Sequence, residues 1–138
     1  LGGFIGIAYA ERYAAEVDGL CLLAPYLGNH IVTGEIKRAN GVAAWQPGEL
    51  AQDDDERRVW RFIKAQRTQP IPMHLGFGCE DRFAESHRMM AAALSPECVR
   101  TVPGGHHWPV WGQLWQQFID ERFASDALGQ SDASASHG

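Results

Sequence analysis

Residues 17–25, Val17-Asp18-Gly19-Leu20-Cys21-Leu22-Leu23-Ala24-Pro25, form an apolar run with little alternation, bounded by a turn signal and a proline. A strand with one wet face alternates polar and apolar side chains. One that does not is buried on both faces, as in a parallel sheet covered by helices. Two further strand-like runs follow, Ile71–Phe77 and Cys98–Val102, and the segments between them read as helices. The chain opens in helical sequence over Leu1–Tyr13, with Leu1, Ile5, Ala8 and Tyr9 or Arg12 on one side. Gly2, Gly3 and Gly6 strip bulk from part of that helix, at about 1 kcal/mol each relative to alanine. A close neighbour is therefore expected there, a strand or tight turn lying upstream.

Asp53-Asp54-Asp55-Glu56 opens a helix running to about Arg67, with Asp53 as the cap and Glu56 completing a capping box. Val59, Trp60 and Ile63 give that helix its buried stripe. The acidic cluster lacks nearby histidines and is followed at once by Arg57 and Arg58, so a helix start is the better reading than a metal site. A helix from about Ala84 to Leu94 carries Met89, Met90 and Ala93 as core candidates, and His74 and His87 fall inside regular elements as packing or surface residues. The last helix begins near Pro109, and Trp108, Trp111, Trp115, Phe118 and Ile119 supply its docking face. The order is helix, strand, excursion with helix, strand, helix, strand, helix. It predicts an α/β fold, parallel strands with helices on both faces.

The 138 residues fit one domain, expected over 1–123 with an irregular, lid-like excursion at about 26–52 and a Ser-, Ala-, Asp- and Gly-rich tail, 124–138, expected to be disordered. Twelve Lys and Arg against seventeen Asp and Glu leave a formal charge of −5, with no basic stripe to follow a phosphate backbone, so no nucleic-acid partner is expected. No apolar run approaches the ~18 residues that span a bilayer, and no membrane partner is expected. Cys21, Cys79 and Cys98 show no paired ligand spacing and read as small buried or half-buried thiols, which favours the cytoplasm. No cofactor or metal is implied.

The chemistry-bearing residues follow the strands. Pro103-Gly104-Gly105-His106-His107-Trp108-Pro109 is a tight strand-to-helix loop, where two glycines allow a sharp turn and Pro109 suits a first helical position. Alone, His106 reads as readily as a hydrogen-bonded loop histidine as a general base. Asp81 likewise comes just after Ile71–Phe77, and alone it reads as a solvated carboxylate beside Arg82. In parallel sheets the working groups collect beyond the carboxyl ends of the strands, so two neighbouring strands would bring Asp81 and His106 to one edge. A carboxylate there fixes the imidazole tautomer and leaves the other nitrogen free to accept a proton.

Taken in order, these segments resemble the C-terminal portion of an α/β-hydrolase of the serine esterase-like kind. The resemblance is carried by Leu1-Gly2-Gly3-Phe4, similar to the residues just after the nucleophile in a Gly-x-Ser-x-Gly-Gly elbow, by Leu22-Leu23-Ala24-Pro25, by Gly78-Cys79-Glu80-Asp81-Arg82-Phe83, and by Gly104-Gly105-His106-His107-Trp108-Pro109. It implies Asp81 as the triad acid and His106 as the base, with His107 as the alternative base. It places the nucleophile immediately before Leu1, as serine or, in related enzymes, aspartate or cysteine, and makes the Leu1 backbone N–H an oxyanion-hole donor. It implies a small ester-like substrate, with Tyr26 and Trp45 of the excursion shaping an acyl or alcohol pocket. None of the serines in this sequence sits in an elbow motif. The alternative is a catalytically inactive half-domain that binds a partner, because the edge of Val17–Pro25 would be left without a neighbouring strand, an association-prone feature.

Overall fold

A computed structural model describes residues 1–66, 68 and 71–135, with side chains in the last helix described through Glu121. Its elements are α1 (Gly2–Arg12), β1 (Leu20–Leu23), α2 (His30–Arg38), α3 (Asp55–Ala65), β2 (Met73–Gly78), α4 (Ala84–Ala91), β3 (Val99–Val102) and α5 (Trp108–Ala135), with 3-10 turns at Ala14–Glu16 and Pro96–Cys98. The strands form one parallel sheet in the order β1-β2-β3, with Leu22 opposite Leu75 and Phe77 opposite Thr101. The fold class is therefore α/β with a parallel sheet, as the unalternated run required.

Side chains alternate between the two faces of the sheet. Leu22, Met73, Leu75 and Phe77 join a core with Ile7, Trp60, Ile63 and Met90, so α1, α3 and α4 cover one face. Leu23 and Val102 meet Val110 and Leu114 of α5 on the other. The excursion is built into the first core: Leu27, Val32, Ile36, Val42 and Trp45 are all buried. It contains α2, capped by Asn29, whose side chain accepts from the Ile31 and Val32 amides at 2.9 and 3.2 Å. The Trp60 indole donates to the Leu27 carbonyl at 2.7 Å and ties α3 to the start of that excursion.

Several details differ from expectation, each for a local reason. The α3 cap is Asp54, whose carboxylate accepts from the Arg57 amide; Glu56 instead turns to the Asn29 amide, and no capping box forms. The expected helix end at Arg67 lies outside the described residues. The glycine face of α1 is met from within the chain: a Cβ on Gly3 would stand 2.7 Å from the Pro25 Cβ, so the end of β1 supplies the close neighbour. Ile7 and Ala10 are the buried side of α1, while Leu1 and Ile5 stay exposed. On α5, Val110 and Leu114 dock, and Trp108 and Trp115 are 79% and 47% exposed. Leu114 packs against the bare backbone of Gly76 on β2, 3.1 Å from where a Cβ would stand, so a side chain at position 76 would displace it. Met90 and Ala93 are buried on the α4 side, with Met89 partly so. Cys79 is exposed rather than buried, since it lies in the turn after β2. The α5 backbone runs as helix to Ala135.

Candidate functional site

The carboxyl ends of β2 and β3 are drawn together by their glycines. After β2 the chain turns at once, the Asp81 amide donating to the Gly78 carbonyl at 3.0 Å. The loop after β3 runs beside that turn: the Cys79 amide donates to Val102 O at 2.9 Å and the Glu80 amide to Gly104 O at 3.0 Å. A Cβ on Gly78 would overlap the Gly104 carbonyl, and Gly104 itself has φ +119°, a left-handed conformation that favours glycine. The two backbones thus approach more closely than side chains would permit.

That approach brings Asp81 and His106 into contact. The Asp81 side chain is fully buried; Oδ1 accepts from the Phe83 amide at 2.8 Å and Oδ2 meets His106 Nδ1 at 2.7 Å. The first bond is an Asx-type turn that fixes the carboxylate independently of the imidazole. In the second the carboxylate oxygen accepts, so Nδ1 carries the proton and Nε2 of the neutral ring is the basic nitrogen. His106 keeps 24% of its side chain exposed and lines a cleft of about 570 Å³. Phe83 and Trp111 stand edge-on to its ring, with centroids at 5.6 and 4.8 Å. The Trp111 indole N–H is buried with no hydrogen-bond partner among the described residues. Charge at this pair is shielded from water on the aspartate side and open to a reactant on the other, an arrangement suited to proton transfer.

Leu1 lines the same cleft as His106, and its carbonyl accepts from the Ile5 amide at 3.1 Å, so it stands at the N-terminal end of α1. Unpaired backbone N–H groups and the helix dipole favour negative charge at such an end. The end of β1 lines the cleft as well. Ala24 adopts φ +46°, an uncommon conformation for a residue with a side chain, and its amide donates to Gly76 O at 2.8 Å. His107 is exposed and lies outside the Asp81 hydrogen bond. Tyr26 lines the cleft, whereas Trp45 is buried in the core with its indole donating to Glu35 at 2.9 Å; a ring 3% exposed shapes no substrate pocket.

His87 is a part of this region that its place in a helix hides. It is fully buried, and its Nε2 donates to the Pro25 carbonyl at 2.8 Å, which fixes the wall carrying Ala24 and Tyr26. Burial pushes its pKa down, against the Pro25 bond and the nearby Asp81 charge, which push it up. The available signal was spacing: Ala84, His87 and Met90 fall three residues apart on the buried side of α4. Among the described residues no group of three His, Cys, Asp or Glu side chains is arranged to hold a metal ion. Comparison with protein-family models, with curated proteins and with solved structures found no match for this chain.

Proposed function

We propose that this chain is the C-terminal portion of an α/β-hydrolase that cleaves ester or related acyl bonds with a Ser-Asp-His triad, its serine standing immediately before Leu1. The observation that carries the reading is the buried Asp81 carboxylate bonded to His106 Nδ1 at 2.7 Å, with the imidazole opening into a cleft that the N-terminal end of α1 also lines. In this mechanism the serine oxygen attacks the acyl carbon as its proton passes to His106 Nε2. The Leu1 backbone N–H donates to the oxyanion that forms. Collapse expels the alcohol, which takes the proton back from His106, and water repeats the sequence to release the acid. Asp81 holds the tautomer and offsets the imidazolium charge without itself taking the proton.

The test is hydrolysis of short 4-nitrophenyl esters by the full chain. His106→Ala and Asp81→Asn should each lower kcat by about three to four orders of magnitude while leaving the fold intact by circular dichroism. Undiminished turnover in either variant would contradict the assignment. A second reading, a catalytically inactive half-domain that binds a partner, is favoured by one feature: among the described residues β1 pairs with β2 alone, leaving its other edge without a strand.

A further inference from the structure

The cleft beside His106 has a charged feature that the acid–base pair does not use. Arg82 lines it, exposed, with its guanidinium carbon 4.8 Å from the centroid of the Phe83 ring, the same ring that stands edge-on to His106. Stacking on Phe83 restricts a side chain that would otherwise sample many rotamers, so less freedom is lost when its planar fork takes up an anion. Of the nearby carboxylates, Asp81 is engaged by His106 and the Phe83 amide, and Glu85 by Lys37 at 2.6 Å, while Glu80 is exposed to solvent. No described carboxylate forms an ion pair with Arg82. Tyr26, Trp108 and Trp111 add aromatic lining, and Leu1, Leu23, Ala24 and Pro25 add aliphatic lining. With a formal charge of −5 on the chain, the overall field repels anions, and an anionic ligand needs a local cation to be held.

We infer that the cleft takes a ligand with an apolar or aromatic body and a carboxylate, and that Arg82 receives the carboxylate through paired N–H donors. For the hydrolase proposed above, on which the ligand's role as substrate rests, the substrate class is an ester carrying an anionic group within reach of Arg82. The guanidinium then selects orientation as well as charge, placing the acyl carbon on the His106 side of Phe83.

Benzoate and benzamide share a ring and differ in charge, so their affinities for the full chain isolate the contribution of the anion. Binding is followed by NMR at the Trp108 and Trp111 indole N–H groups. Benzoate should bind about fivefold or more tightly, as expected for a partly exposed ion pair, and Arg82→Gln should bring the ratio near one. Equal affinities, no binding of benzoate, or a preference indifferent to Arg82→Gln would overturn the inference. A second readout compares kcat/KM for 4-nitrophenyl hemisuccinate and 4-nitrophenyl butyrate, where the anionic ester should be favoured by a similar factor that Arg82→Gln removes. Turnover of both without preference would overturn the anion site and leave the hydrolase standing. Turnover of neither, with the benzoate preference intact, would overturn the hydrolase and leave the anion site.

Discussion

His87 shows how a single side chain can report on the state of the cleft wall. Burial lowers its pKa, so the folded chain resists a proton that the unfolded chain accepts near the ordinary value of 6.5. Its neutral form contributes stability that is whole above that value and is lost as the pH falls toward the lower folded one, because unfolding then takes up a proton. Urea midpoints of the wild type should therefore drop between pH 7.5 and 5, and His87→Gln should flatten that slope; parallel slopes would refute the role. The sequence told less about this residue than about Asp81 or His106. Those two were legible because each comes directly after an apolar strand, and parallel topology sends strand ends to a common edge. His87 lies inside a helix, where only packing reveals that its ring nitrogen reaches the Pro25 carbonyl.

At the level of elements, the site depends on how closely the turn after β2 approaches the loop after β3. Gly78→Ala would press a methyl group into the Gly104 carbonyl and should cost about 1–3 kcal/mol of stability in chemical denaturation, as overpacking does. It should also weaken the His106–Asp81 bond, since the two loops must separate to admit the methyl group. An unchanged denaturation midpoint would show that the loops have room to part. This contact was not legible in the sequence, because a glycine after a strand reads as a turn whether or not another backbone lies against it. The same limit explains α5. Its aromatic spacing pointed to a docking face of five large side chains, yet the position opposite Gly76 admits Leu114 and leaves Trp108 and Trp115 outside. Helical periodicity identifies a stripe; the sheet surface it meets decides which members are buried.

For the whole molecule, the parallel sheet followed directly from the unalternated run at β1, and its order puts β1 at an edge. A polypeptide beginning at Leu1 carries that edge together with the exposed Leu1 and Ile5, and it should self-associate with rising concentration in sedimentation velocity. A monomeric species that unfolds cooperatively would show that the edge needs no cover. The packing of 26–52 into the core was beyond sequence reasoning, since its glycines and prolines punctuate the segment whether it covers a site or is itself buried. Activation by Asp81 and His106 of a serine preceding Leu1 can be read by treating the full chain with a fluorophosphonate and mapping the modified residue by peptide mass spectrometry. One adduct is expected, on a serine immediately before Leu1, formed rapidly by the wild type and slowed severely by His106→Ala. An adduct elsewhere, no adduct, or labelling indifferent to His106 would contradict it.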